Sequence, residues 1–496
     1  MALTRLQQLC IAAENVEGTV ISSPALFSSG NAKYLAIDPS ITFEVETYQR
    51  DVARETFTPL SPLAGALLGN CTFSLEMNAK VSSTISAIPQ WDLPLVASGF
   101  RRERLIRLTF GAGTTAVINH GATITSGSGT AFVVGTYLTG STYVWCTKGT
   151  NNNLGNGSSL TTAAATVGGS GVGTTTAVVS DAGVGYWPSS VALYTITTTG
   201  GIAVALSAND VIVGNSTGAI AILYYAQSTT GSAVPLYVRR IQGTFTSSDT
   251  NCTVYRDGAV VASTTIAVST FIQSFDTASV KNISPTVSIG LSKDGVRESI
   301  KGARGSVSIS GNVGEPVLLN FNFQGIKDNV IDSGSISGVT YDDDTPPVLL
   351  GSAMTVADAG ITSLANAKSM CATSFNIDMA NDVQYRRCIT AATGIDGIYY
   401  NGRSPNGTIN PDQSPELDFD YMNNYFTSGN MRLDVTVGST APDKFRLSAI
   451  NSAITSVGQG DRNGLITRDI AFALHSGSSS STSGDNEFVI IWDLSV

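Results

Sequence analysis

Few residues in this chain have the types and spacing that chemistry needs. Only two histidines are present, His120 and His475, so any hydrolase triad would have to use one of them. Gly214-Asn215-Ser216-Thr217-Gly218 matches the GxSxG nucleophile elbow, which must join a strand to a helix in an α/β sheet. Here Ala219-Ile220-Ala221-Ile222-Leu223 reads as strand as readily as helix, the surroundings are β-rich, and a Gly/Ser-rich zone produces such matches by chance. Phosphate loops, HExxH and a dinucleotide fingerprint in a βαβ setting are absent. The sequence therefore predicts no catalytic residue, no cofactor and no metal ligand.

The remaining acids and bases have bland readings beside sharp ones. Glu416, Asp418 and Asp420 alternate in Pro415-Glu416-Leu417-Asp418-Phe419-Asp420, which predicts one face of a strand. A glycosidase needs two carboxylates flanking a sugar, whereas a row of acids more often marks a solvated face. A third reading is an acidic strip lining a channel, multiplied by repeated subunits. Arg101, Arg102, Arg104 and Arg107 surround Glu103; they suit phosphate, or the acids of a neighbouring subunit, and an acidic chain favours the second. Asp342-Asp343-Asp344 precedes Pro346-Pro347, too soon for the oxygen ligands of a calcium loop, so this stretch reads as an exposed linker. The six cysteines (10, 71, 146, 252, 371 and 388) include no CxxC pair and read as free thiols of a reducing compartment.

With 28 Lys+Arg against 38 Asp+Glu, the net charge is −10. That balance argues against a grip on nucleic acid, which requires clustered cations, but a neutral or acidic wall lets DNA slide past. No run of about 18 apolar residues exists, which predicts no membrane span. The start, Met1 to Cys10, reads as an amphipathic turn of helix and not as a secretion signal.

The elements that must position these residues are mainly β. Short alternations of Thr, Val, Ile, Tyr and Phe are punctuated by Gly, Asn and Asp. Ser306–Ser310 and Leu318–Phe323 predict a hairpin; Asp294-Gly295 and Asp257-Gly258 predict two more turns. Helices are expected at 4–14, between Trp91 and Gly99, and at 357–368. Residues 108–209 carry only Lys148 and Asp181 as charges, which predicts a β-rich Gly/Thr/Ser insertion running to about 280. Phe73-Ser74-Leu75-Glu76-Met77-Asn78 echoes Phe375-Asn376-Ile377-Asp378-Met379-Ala380. Closing hairpins are expected at Val307–Phe323 and Ile470–Trp492, with similar turns into each apolar strand. Convergence of β patterns explains one hexamer; two echoes in the same order point to a duplicated β-domain.

Several stretches resemble the tail tube (major tail) proteins of long-tailed, siphovirus-like bacteriophages. They are Ala13–Thr19, Phe57–Pro62, Gly69–Met77, Pro89–Phe100, Asp294–Val307, Glu315–Gly325, Gly460–Leu465 and Asp485–Phe488. Together they lie within 1–107 and 285–496.

The resemblance implies two tandem tube-type β-sandwich/β-barrel domains: 1–107 with 285–345 (an N-terminal arm at 1–40), and 346–496. Residues 108–284 would be an external insertion. It implies a structural virion protein that is no enzyme. Copies would close rings, three chains per ring with six as the alternative, and stacked rings would form the conduit for genome delivery. Partners would be sister copies, the tape measure, tail terminator and baseplate or distal tail proteins, and viral DNA only in transit. Assembly would occur in the host cytoplasm. On this reading Glu76, Asp378, Glu416, Asp418 and Asp420 are candidate lumen-facing or inter-subunit acids, and Arg101, Arg102 and Arg104 candidate inter-subunit cations. The competing functions are a surface or receptor-binding β-repeat adhesin, which the sequons at Asn156, Asn215 and Asn251 would suit, and a carbohydrate-active enzyme using Glu416 and Asp418.

Overall fold

The computed structural model describes residues 7–14, 26–50, 60–79, 89–120, 122–126, 129–151, 159–162, 171–188, 193–198, 205–207, 210–223, 235–242, 245–256, 259–273, 286–358, 367–413, 419–439, 443–475 and 487–493. Strand is 63% and helix 4%, so the expected mainly β class holds.

The first part contains β1 (Gln7–Ala13), β2 (Ile37–Tyr48), β3 (Leu63–Glu76) and helix α1 (Asp92–Ala97). The expected helix at 4–14 is a strand across its described residues: β1 pairs with a later strand along its whole length, Gln7 to Ala13 against Lys293 to Val287. A seven-residue stretch gains more from ladder bonds and burial of Leu9 and Ile11 than from an isolated turn of helix. The helix expected near Trp91 is present. Pro94 sits in its first turn, where a missing N–H costs no bond, and Gly99 at φ +86° turns the chain out of it.

The insertion follows. β4 (Phe100–Phe110), β5 (Thr123–Ser126), β6 (Gly129–Val133), β7 (Tyr143–Asn151), β8 (Ser159–Thr162) and β9 (Gly171–Pro188) form one group. β4 pairs with both β7 and β9 over a core that includes Leu105, Leu108, Val144 and Trp145. A separate seven-stranded sheet is made of β10 (Leu193–Thr198), β11 (Val211–Val213), β12 (Ile220–Leu223), β13 (Pro235–Gln242), β14 (Cys252–Arg256), β15 (Ala259–Ile266) and β16 (Val268–Gln273). It encloses its own core of Ile196, Ile212, Leu223, Leu236 and Val254. The turn expected at Asp257-Gly258 lies outside the described residues.

The chain then returns to the framework with β17 (Val287–Lys293), β18 (Val296–Asn312) and β19 (Leu318–Asp332). The Asp294-Gly295 turn and the β18–β19 hairpin are as expected. Residues 341–347 adopt neither helix nor strand, as two prolines after three acids require. Beyond them lie β20 (Ala353–Asp358), β21 (Lys368–Ser369), β22 (Ala372–Asp378), β23 (Asn381–Arg387), β24 (Ile395–Arg403), β25 (Asn406–Pro411), helix α2 (Tyr421–Thr427), β26 (Asn430–Val437), β27 (Lys444–Arg462), β28 (Leu465–Leu474) and β29 (Phe488–Asp493). Residues 357 and 358 of the third expected helix belong to β20; 359–366 lie outside the described residues.

One pairing pattern occurs twice. In the first part, β2 pairs with β3, β3 with β19 and β19 with β18. In the last part, β22 pairs with β25, β25 with β28 and β28 with β27. Flanking strands repeat as well: β1–β17–β18 is matched by β20–β26–β27, and α1 is matched by α2. The echo hexamers do not sit at equivalent places in this pattern. Phe73–Asn78 runs along and just past the end of β3, the second strand of its set, whereas Phe375–Ala380 runs along and just past the end of β22, the first of its set. Ile470–Trp492 is also no hairpin. β28 and β29 pair with successive stretches of β27 and not with each other. The hexamers are alike because both alternate apolar residues inward (Phe73, Leu75, Met77; Phe375, Ile377, Met379), which many buried strands do.

The two sets share a core. Trp91 at the start of α1 lies 5.1 Å from Tyr186 of β9, 6.0 Å from Phe445 of β27 and 6.5 Å from Trp492 of β29. Its Nε1–H donates to the Asn78 carbonyl at 2.8 Å, so a buried indole is satisfied where first set, insertion and last set meet.

Candidate functional site: the open strand edges

Among the described residues no group of His, Cys, Asp and Glu is arranged to hold a metal ion. The GxSxG match is a turn between β11 and β12, two strands of one antiparallel sheet. Asp249 accepts from the Ser216 amide (2.9 Å), the Thr217 amide (2.9 Å), the Thr217 hydroxyl (2.7 Å) and the Thr246 amide (3.0 Å). The Ser216 hydroxyl donates to the Ser248 carbonyl at 2.6 Å. The serine is a turn residue knitted to a neighbouring loop, and its context is strand–turn–strand, not the strand–turn–helix of an elbow.

What the framework exposes is backbone. Because β18 also pairs with β22, the two four-stranded sets join into one run: β2, β3, β19, β18, β22, β25, β28, β27. Among the described residues, β2 at one end pairs with β3 alone. At the other, β26 covers β27 only as far as Ala453, and among the described residues, 454–462 of β27 pair on one side only, with β28. Both margins are accessible: Thr42, Glu44 and Val45 of β2, and Thr455, Ser456, Gly458, Gln459 and Asp461 of β27, are exposed. Ile37 and Val45 of β2 are each 41% exposed and Tyr48 69%, an apolar content unusual for an edge that stays in water.

The candidate acids and cations fall at varied places. Glu76 ends β3, opposite Leu318. Asp378 ends β22, between Ser308 and Asn406, and accepts from the Ala380 amide at 2.9 Å. Asp420 is not on a strand face as its spacing suggests. It is the N-cap of α2, accepting from the Asn423 amide at 2.8 Å, a role that short polar side chains fill because they satisfy an orphan helix donor. Glu416 and Asp418 lie outside the described residues. Arg102 pairs within the chain with the buried Asp92 at 2.8 Å, Arg101 lies over the Trp187 ring at 5.6 Å, and Arg104 is a residue of β4 facing Val184 in register.

Sequence reasoning overlooked one polar cluster. Arg432 and Arg446 flank Asp434, with nitrogen–oxygen distances of 2.7 and 3.1 Å, and the Ser448 hydroxyl donates to the same carboxylate. Burial alone would push the Asp434 carboxyl up, but the two guanidiniums and the hydroxyl hold it down at about 2. A cavity of about 200 Å³ at this cluster is lined also by Tyr137, Tyr143 and Val356, and Arg446 lies 5.1 Å from the Tyr137 ring. The cluster therefore fastens the insertion to β26 and β27. Its signal in the sequence was the polar alternation Arg432, Asp434, Thr436 along an otherwise apolar strand.

A family of phage tail tube proteins matches residues 155–474. The chain belongs to that family. The match spans most of the insertion, from residue 155 on, together with the framework from β17 to β28, and so extends the resemblance noted in the sequence into residues 155–284. No curated individual protein matches the chain. The protein is a phage tail tube protein, a structural tail component of the virion, and its family is not an enzyme family. Among the described residues no helix is long and apolar enough to cross a membrane.

Proposed function

We propose that this tail tube protein works as a hollow polymer: copies close into rings, rings stack, and the stack conducts the genome out of the particle. The observation that carries the reading is the pair of open margins, β2 and the end of β27, at opposite ends of one eight-stranded run. A sheet with an open strand at each end is a head-to-tail unit, and joining sister copies abolishes both edges. The repeated pairing pattern supports two tandem tube domains per chain, 1–107 with 285–345 and 346–496, so that three chains would give a ring of six like units. At about 4.8 Å per strand, three runs of eight give a barrel roughly 37 Å across at the backbone for upright strands, wider if they tilt. Six chains would double that diameter.

The insertion, with the independent core of its seven-stranded sheet, is assigned to the outside of the tube. Glu76, Asp378, Glu416, Asp418 and Asp420 remain proposed lumen or interface acids, and the tape measure, terminator and baseplate proteins proposed partners, with assembly in the host cytoplasm. Electron microscopy and sedimentation of the purified full chain test the reading. Rings or tubes with three-chain symmetry are expected, and six-chain symmetry would replace only the stoichiometry. A chain that stays monomeric at high concentration, and forms no tube beside tail initiator proteins, refutes it.

A further inference from the structure

The internal junction between the two sets carries its own register, and that register can be transferred to the open margins. Val307, Phe321 and Phe73 lie side by side across β18, β19 and β3; Val457, Ile470 and Ile409 lie side by side across β27, β28 and β25. Matching these rows makes Ser308, Ile309 and Ser310 the counterparts of Gly458, Gln459 and Gly460. On the other flank, Ser40, Ile41 and Thr42 face Thr72, Cys71 and Asn70, as Asn376, Ile377 and Asp378 face Thr408, Gly407 and Asn406. Ser40, Ile41 and Thr42 are therefore the counterparts of Asn376, Ile377 and Asp378. Within the chain, Ser308 pairs with Asp378, Ile309 with Ile377 and Ser310 with Asn376.

Resting on the ring reading above, we infer that β27 of one copy pairs antiparallel with β2 of the next, Gly458 opposite Thr42, Gln459 opposite Ile41 and Gly460 opposite Ser40. The partner is a second copy of this chain, and the internal β18–β22 seam is the template for the external one. Burial agrees with a missing strand. Ile309 is fully buried beside β22, whereas its counterpart Gln459 is exposed, as are Gly458 and Thr42.

The hydrogen-bond phase transfers too. The Met379 amide donates to the Val307 carbonyl at 3.1 Å, so 379 with 307 is a hydrogen-bonded pair, and the neighbouring pair, 378 with 308, is the type in which side chains approach most closely. Across the seam the Phe43 amide then donates to the Val457 carbonyl. Thr42 and Gly458 become the close, non-hydrogen-bonded pair. A Cβ built on Gly458 meets nothing nearer than 3.5 Å, so a cysteine fits there.

The test is oxidative cross-linking of Thr42→Cys with Gly458→Cys in the full chain, with Cys371→Ser and Cys388→Ser to silence the two thiols that are not buried. Assembled protein is expected to give covalent ladders ending at one ring, while each single variant and the off-register pair Thr42→Cys with Thr455→Cys give at least tenfold less. Equal cross-linking by the off-register pair, or none in tubes visible by microscopy, overturns the register and leaves the tube reading standing. Absence of any assembly overturns both. Hydrogen exchange on the wild-type chain gives a second readout that needs no variant to fold: segments 40–43 and 457–460 should slow at least tenfold on assembly, and unchanged exchange there refutes the seam.

Discussion

Replacing Asp434 by Asn removes one negative charge shared by two guanidiniums and keeps the side chain's shape. Arg432, Asp434 and Arg446 have side chains only 11%, 17% and 14% exposed, so screening by water is weak. Breaking a buried pair from one side leaves a charge uncompensated and costs about 3–5 kcal/mol. The pH dependence isolates the charge. The carboxyl sits at about 2 in the folded chain against 3.8 for an ordinary aspartate, a difference worth about 2 kcal/mol. Because the folded value is the lower one, this stabilisation is present in full above pH 3.8 and is lost as pH falls toward 2. The deficit of Asp434→Asn relative to wild type, measured by urea unfolding at several pH values, should therefore be about 3–5 kcal/mol near neutrality and shrink by about 2 kcal/mol between pH 5 and pH 2. A deficit below about 1 kcal/mol at pH 7, or one that does not change with pH, would refute the view that Asp434 acts as an ionised clasp. Local exchange at Tyr137 and Tyr143 should rise together with that at 430–437, since the cluster joins the insertion to β26 and β27.

Three further outcomes can be checked. Tyr186→Phe should destabilise the chain by about 1–3 kcal/mol, because the Tyr186 hydroxyl donates to the buried Asp92 carboxylate at 2.7 Å; equal unfolding midpoints would contradict this. Asp249→Ala should loosen the seven-stranded sheet, read as faster exchange over 211–223, since four donors converge on that carboxylate, whereas Ser216→Ala should leave fold and assembly unchanged. With a thiol reagent at neutral pH, Cys388 should react first. Its bond with the Thr390 hydroxyl holds the thiol below its usual value, whereas the bond with Asp412 pushes Cys371 up and burial pushes Cys10 and Cys252 up to about 12; early labelling of any of the four buried thiols would show an open core.

The β class, the β18–β19 hairpin, the Asp294-Gly295 turn, the helix after Trp91 and the irregular 341–347 segment were all legible from period-two alternation and turn chemistry, which are local properties. The GxSxG match could likewise be set aside from its β surroundings. Asp420 was misplaced because helix α2 leaves a weak local pattern: Tyr421 and Asn424 are its buried residues, too few to show a period.

What escaped the sequence depended on partners far along the chain. Gln7–Ala13 looked helical and became a strand because β17, some 280 residues on, offers a ladder. The hexamers that suggested repetition lie on unlike strands, since burial selects the same alternation at many positions; the repetition is written in the pairing order, which carries no residue signature. The amino-acid sequence by itself determined the mainly β class and the local turns, because alternation and turn chemistry act between near neighbours. Only the tertiary structure decided which strands lack a neighbour, because a backbone edge has the same donors and acceptors whatever its side chains, and whether they are satisfied is a property of what lies beside them.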